Sequence, residues 1–398
     1  MVSVDNMQKK DELLKITIKT FYGLEEVLND ELIELGFKNN KILNRAVQTE
    51  GSMKDVYYLN LHLRCAISVL LEVASFQIKH EDDLYTRCAE IDWTELFTLD
   101  KNFAVKGAVF SDFFTHSQYP FLVLKDAIAD VFRGRYGERP DVNVQKPQIL
   151  FDLYINKDKC VVSLNTSGAP LFKRGYRDSV GEAPLNEVVA AGMLRLSGWD
   201  KKSPLIDPFC GSGTILIEAA LMATGIPALI ERQHFAFKNF INYNPEVWQQ
   251  IVDDVDYKIK ELPCEIIGSD NNDEMITKAR RNMRALSIGR FIKVQHSSFE
   301  EVEKIGETGT IITNPPYGER MGDDVEELYG GIGTWLKSKM SGYNAWILSS
   351  NQQAFNHVGL RPERKIKIFN GDLECSFRKY SMYQGSKKAS KQNVDDKA

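Results

Sequence analysis

Pro204-Leu205-Ile206-Asp207-Pro208-Phe209-Cys210-Gly211-Ser212-Gly213-Thr214 reads as a short buried strand, a carboxylate at its C-terminal end and a glycine turn, after which Ile215 to Ala223 opens a helix. Gly211 and Gly213 carry no Cβ and tolerate positive φ, so the backbone of such a turn lets a ligand come close. In open α/β sheets, ligands bind beyond the carboxyl ends of the strands. The stretch therefore predicts both a strand–turn–helix unit and the place of a binding site.

A nicotinamide-dinucleotide turn would add a third glycine near position 216 and an acid about 20 residues further on. Position 216 is Leu, and the next carboxylate at a strand end is Asp270, after Cys264 to Ile267 and Gly268-Ser269. Asp270 is placed to accept two hydrogen bonds from a ribose diol. A carboxylate at this point can alternatively cap the helix that begins near Asp273.

About a hundred residues past the glycine turn stands Asn314-Pro315-Pro316-Tyr317, running on into Gly318-Glu319-Arg320 where a predicted strand ends. An amide oxygen and a backbone carbonyl freed by proline geometry can accept two N–H bonds from an exocyclic amine, while a tyrosine ring stacks on the base. Asn-Pro-Pro also makes an ordinary turn.

Composition excludes several classes. The chain has 398 residues, 43% hydrophobic and 26% charged, enough for two or three domains with cores of their own. No apolar run approaches the roughly 18 residues needed to cross a bilayer, and the N-terminus shows no signal-peptide pattern. Cys65, Cys88, Cys160, Cys210, Cys264 and Cys375 are scattered without a Cys-x-x-Cys pair, which predicts a reducing cytoplasm and no metal site. Cys210 lies in the glycine turn with no neighbouring His and reads as a small apolar filler. A net charge of −5 disfavours a nucleic-acid partner at the level of the whole chain, but phosphate binding depends on local basic surface. Candidates for such surface are Lys125, Arg133, Arg135, Lys173, Arg174, Arg177, Arg280, Arg281, Arg284 and Arg290.

The organisation changes near residues 165 to 185. Before it, periodicity predicts strands over Leu14 to Ile18, Lys41 to Gln48, Phe103 to Phe110, Gln148 to Ile155 and Lys159 to Asn165, the last two joined by a tight hairpin at Asn156-Lys157-Asp158. Helical spacing covers Leu24 to Leu35, Tyr57 to Val73 and Leu122 to Arg133. This half is α+β. After it, a helix through Leu196 leads to the glycine turn and strands alternate with helices, the signature of a parallel, doubly wound sheet. Between the turn helix and Cys264 lie about forty residues, with an aromatic-rich Phe235 to Phe240 and an amphipathic Pro245 to Leu262. They read either as a lid or as a packed flap. The lysine-rich stretch from Lys387 to Ala398 reads as a disordered tail.

Asp207 to Thr214 together with Asn314 to Arg320 resembles the class I S-adenosylmethionine-dependent methyltransferases that modify exocyclic amines. Leu171 to Arg177 and Ala183 to Glu187 resemble, within that class, the branch with an N-terminal THUMP domain whose members make N2-methylguanosine in RNA. Asp83-Leu84-Tyr85, Ile91 to Phe97, His116 to Tyr119 and Lys125 to Ile128 are similar to the bacterial enzymes that act on guanine N2 of large-subunit ribosomal RNA. The resemblance covers roughly residues 12 to 385. It implies a ferredoxin-like region (1–70), a THUMP RNA-binding domain (71–166), a Rossmann-like methyltransferase domain (167–385) and the tail (386–398).

What the resemblance implies for the site is a set of roles. Asp207, Gly211 and Gly213 would contact the methionine part of S-adenosylmethionine, Asp270 would hold its ribose, and Pro208 and Thr214 belong to the same cofactor-binding set. Ser298-Phe299 occupies the place where the family often has Asp and an apolar residue against the adenine. Asn314 and the Pro315 carbonyl, with Pro316, would hold a guanine N2 while Tyr317 stacks on the base. Glu218 and Tyr176 are weaker candidates, with a packing role as an alternative. The expected partner is RNA, ribosomal first and transfer RNA second. Adenine-N6 or cytosine-N4 DNA methylation, protein-glutamine methylation and a non-catalytic RNA-assembly role remain as competitors, because the Asn-Pro-Pro-Tyr loop alone does not name its target atom.

Overall fold

The computed structural model describes residues 13–177, 185–255, 262–316 and 324–383. Its contacts divide into two compact units, residues 13–20, 28–173 and 232–255 in the first, and residues 21–27, 174–231 and those beyond 255 in the second. Tyr317, Glu319, Arg320, the Ala183-Pro184 pair and the expected tail lie outside the described residues.

The first unit is built on β1 (Leu14–Lys19), β2 (Lys41–Leu43), β3 (Ala46–Gly51), β4 (Ser68–Gln77), β5 (Phe103–Phe110), β6 (Ile149–Asn156) and β7 (Lys159–Asn165). They form one seven-stranded sheet in the order β2-β3-β1-β4-β7-β6-β5. Between them in the chain lie α1 (Glu25–Glu34), α2 (Met53–His62), α3 (Asp82–Ala89) and α4 (Tyr119–Tyr136). Alternation sets the faces, with Leu14, Ile16 and Ile18 buried and Lys15, Thr17 and Lys19 on the other side. Pairings are antiparallel except β5 with β6, which α4 links as a crossover. Trp93, Phe97, Phe103, Phe132 and Phe151 fill the buried side with ring centroids 4.8 to 6.3 Å apart. The expected hairpin joins β6 to β7, and Lys157 takes φ 55° in its turn.

Two sequence expectations are corrected. The strand expected over Lys41 to Gln48 is two strands, because Arg45 takes φ 57° and the chain reverses there. The helical pattern over Tyr57 to Val73 belongs to α2 and then to β4. The helix starts earlier, where Ser52 and Asp55 satisfy each other's backbone as a capping box. β4 escaped notice because it lies between β1 and β7 and is buried from Ser68 to Ala74, an apolar run without period-two alternation. The boundary expected between residues 70 and 71 falls inside this strand.

In the second unit, Asn186 caps α5 (Glu187–Leu196), and β8 (Leu205–Asp207) runs through the glycine turn into α6 (Thr214–Thr224). The chain then returns to the first unit with α7 (Pro245–Asp253). Arg232 donates to the carbonyls of Ser167, Ala169, Pro170 and His234 at 2.6 to 2.9 Å. Phe235, Phe237 and Trp248 pack with Tyr57, ring centroids 4.6 to 6.5 Å apart. Residues 232–255 are thus a packed flap of the first unit.

The second unit continues through β9 (Ile266–Asp270), α8 (Asp273–Arg284), β10 (Lys293–His296), β11 (Gly309–Thr313), α9 (Asp324–Lys339), β12 (Tyr343–Ser349), β13 (Arg364–Asn370) and β14 (Leu373–Ser381). Its sheet has the order β10-β9-β8-β11-β12-β14-β13, parallel from β10 to β12 and closed by an antiparallel hairpin. This is the expected Rossmann-like α/β fold with a mostly parallel sheet. β9 extends past its expected end, so Gly268 is a strand residue. A Cβ there would stand 2.3 Å from Leu216 Cδ1 and 2.9 Å from Cys210 Cβ, and its absence lets β9 lie against the glycine turn.

Candidate active site

The carboxyl ends of β8, β9 and β11 deliver Asp207, Asp270 and Asn314 to one cavity of about 660 Å³. Gly211 and Gly213 take φ 52° and 84°, the left-handed backbone that their sequence predicts. Asp207 is 1% exposed. Its Oδ1 accepts from Thr313 Oγ1 at 2.6 Å and from the Phe209 amide at 3.2 Å. Burial nevertheless pushes its carboxyl up to about 7, and the nearby Asp270 charge adds to the rise.

Asp270 Oδ2 accepts from the Gly211 amide at 2.9 Å, and Oδ1 from the Asn272 amide at 2.9 Å. Asn272, not Asp270, caps α8, since its side chain takes the Glu274 and Met275 amides. Each Asp270 oxygen keeps a further lone pair for a ligand hydroxyl. Asn314 Oδ1 is buried and has no hydrogen-bond partner among the described residues. A buried polar atom left unpaired costs about 1–3 kcal/mol, so this orphan is an acceptor waiting for a donor.

Ser298 and Phe299 line the same cavity, but the serine is occupied locally. It forms a capping box with Glu301, and its hydroxyl also donates to Glu300. Phe299 is buried and lies over Phe209, ring centroids 5.1 Å apart. Cys210 behaves as the expected filler: it is 6% exposed, and burial pushes its thiol far above the usual range.

Arg174 and Arg177, expected among the surface cations, are instead engaged inside the second unit. Arg174 and Glu218 are both fully buried and paired, Nε to Oε1 at 3.1 Å, and the Tyr176 hydroxyl stands 3.5 Å from the same carboxylate. Glu218 is thus held in an internal ion pair with Arg174, and Tyr176 packs against it. Arg177 lines the cavity, 2.8 Å from Glu187, and donates to Thr214 Oγ1 at 2.5 Å and to the Leu185 carbonyl at 3.1 Å. Neither Arg177 nor Asn271, another wall residue, was among the cofactor candidates. Arginine after Gly-Tyr offered a signal for the first; nothing local marked the second.

A family model described as RMKL-like methyltransferase domain matches residues 174–379, more than half of the chain. The chain belongs to the RMKL-like methyltransferase family. Ahead of that match, this methyltransferase carries an RlmL ferredoxin-like domain match over residues 15–70 and a THUMP domain match over residues 79–165. It is 36% identical over 377 residues to the ribosomal RNA large subunit methyltransferase K/L of Psychromonas ingrahamii, a match covering 92% of this chain and 50% of that protein. It thus spans about half the length of that curated relative. Among solved structures, SMU.472 complexed with SAH superposes with a TM-score of 0.82 at 26% identity, over 94% of this chain and 99% of that one. A predicted N6-adenine-specific DNA methylase from Listeria monocytogenes gives the same score and identity, over 94% and 97%.

S-adenosylmethionine, the expected methyl donor, agrees with this membership, and the cavity fits it. Two carboxylates suit a cationic, ribose-bearing ligand, the glycine turn leaves room beside them, and an unpaired acceptor stands at the same cavity.

Proposed function

We propose that this methyltransferase transfers a methyl group from S-adenosylmethionine to the exocyclic N2 of a guanosine in RNA, in the first place large-subunit ribosomal RNA. The orphaned, buried Asn314 Oδ1, lining one cavity with Asp207 and Asp270, carries this reading. It is an acceptor aimed at a donor, and an aromatic amine supplies two N–H groups. The names of the relatives and the THUMP match support RNA as the polymer.

When bound, the cofactor supplies a methyl activated by its sulfonium charge. Asp207 and Gly211 hold the methionine end, with Pro208, Gly213 and Thr214 shaping the turn, and Asp270 takes the ribose diol. Arg177 steadies Thr214 and so the start of α6. Asn314 Oδ1 and the Pro315 carbonyl accept the two amine hydrogens, which draws the nitrogen toward tetrahedral geometry and frees its lone pair. Pro316 stiffens the loop, and Tyr317 stacks on a base splayed from its helix. No dedicated strong base is needed, because the methylated ammonium is acidic enough to release its proton to water.

Transfer RNA is the second substrate, and DNA adenine is the rival, favoured by the Listeria neighbour's name. The deciding experiment is nucleoside analysis of ribosomal and transfer RNA from a strain lacking this protein, before and after incubation with enzyme and labelled cofactor. Loss and restoration of N2-methylguanosine in large-subunit RNA is expected. Restoration only in transfer RNA redirects the substrate, and labelled N6-methyladenosine in DNA overturns the assignment.

A further inference from the structure

The cations singled out from sequence on α4 are engaged: Lys125, Arg133 and Arg135 stand 2.6 to 2.7 Å from Asp126, Asp130 and Asp92. The open face of the first unit's sheet differs. Register sets Lys106, Ala108 and Phe110 of β5 beside Asp152, Tyr154 and Asn156 of β6. Tyr154 and Asn156 in turn lie beside Val161 and Lys159 of β7. Alternation puts all of these opposite Phe103, Phe151 and Leu153, which are buried.

On this face Phe110 is 63% exposed and Tyr154 42%, with ring centroids 6.1 Å apart. Lys106, Lys157 and Lys159 are exposed and form no ion pair among the described residues. Lys157 sits at the Phe110 end, where its amide donates to the Phe110 carbonyl at 2.7 Å. Of the carboxylates by this face, Asp152 stands 2.5 Å from Lys19 and Glu72 3.5 Å from Lys15, while Asp158 in the β6–β7 turn accepts from Gln77 Nε2 at 3.3 Å. Two adjacent rings open to water, with Lys106, Lys157 and Lys159 exposed around them, mark a contact surface.

Resting on the RNA reading above, we propose that this face is a platform for a single-stranded stretch of RNA. Two unpaired bases stack on Phe110 and Tyr154, the three lysines meet backbone phosphates, and the Asn156 amide meets a base edge. Every base has a π-face, so exposed rings bind single strands irrespective of sequence. A duplex keeps its bases stacked on each other and offers none to these rings. A protein partner is disfavoured by the lysines, since protein interface cores are depleted of charge.

The test uses the full-length protein and a fluorescein-labelled single-stranded RNA of about 12 nucleotides, with the blunt duplex of the same sequence, read by fluorescence anisotropy. Phe110→Ala and Tyr154→Ala are each expected to weaken strand binding by about 5- to 100-fold, leaving duplex affinity and cofactor affinity at wild type. Tyr154→Phe keeps the ring and binds as wild type does. Lys159→Gln lowers the slope of log affinity against log salt by about 0.7. Wild-type strand affinity in the Phe110→Ala/Tyr154→Ala double variant overturns the platform and leaves the RNA reading standing, as does an equal loss on strand and duplex. A wild-type protein that binds neither RNA overturns the RNA reading itself.

Discussion

Thr313 Oγ1 donates a 2.6 Å hydrogen bond to Asp207 Oδ1, tying the residue before Asn314 to the carboxylate that opens the glycine turn. Two adjacent parallel strands thereby hold Asn314 and the Asp207 carboxylate in one frame. The bond does not keep Asp207 acidic, since burial outweighs it.

A pH dependence of cofactor binding follows. The Asp207 carboxyl, raised to about 7, is neutral below that pH and charged above it. A cationic cofactor prefers the carboxylate, so affinity is expected to fall about tenfold from pH 8 to pH 6, with proton release on binding near pH 6. Calorimetry in buffers of different ionisation enthalpy reads both. The cofactor's own α-amino group titrates near pH 8, and Asp207→Asn, which keeps that background, isolates the carboxylate: its slope is smaller. For stability the sign is reversed from a paired carboxylate. Folding favours the neutral form, so this group's contribution is lost as pH rises from about 4 toward 7.

Asp270→Ala is expected to weaken cofactor binding by about 1.5 to 3 kcal/mol, the range for hydrogen bonds to charged groups. It also releases the Gly211 amide that Asp270 holds at 2.9 Å. Because Asn272 caps α8, the helix survives the change. Unaltered affinity by calorimetry removes Asp270 from the ribose site.

The buried Arg174–Glu218 pair makes a prediction about stability. Removing one partner strands a charge in the interior, and Glu218→Ala is expected to cost about 3 to 5 kcal/mol in chemical denaturation. The double change Arg174→Met/Glu218→Leu is expected to recover most of that loss. A Glu218→Ala protein of wild-type stability contradicts the pairing.

Much of this was legible in the sequence because each feature is local. The glycine turn, Asp270 at a strand end and the hairpin at Lys157 are set by residues within a few positions, and the strands Phe103 to Phe110 and Lys159 to Asn165 were read to the residue. What escaped is set at long range. β4 lost its alternation because Ser68 to Ala74 are buried on both faces of the sheet. Arg174 reads as a surface cation until Glu218, far along the chain, is folded against it. Ser298 reads as a free hydroxyl until Glu300 and Glu301 are seen to occupy it. That Asn314 Oδ1 has no partner among the described residues is a property of its surroundings alone.

That atom carries the chemistry proposed for the site. The most direct measurement is the initial rate of N2-methylguanosine formation, by mass spectrometry of digested RNA, for wild type and for Asn314→Ala at saturating cofactor. Loss of a positioned polar group predicts a rate lower by about a hundredfold or more, with cofactor affinity unchanged. A variant that makes N2-methylguanosine at close to the wild-type rate, or a wild type whose product is N6-methyladenosine, contradicts it.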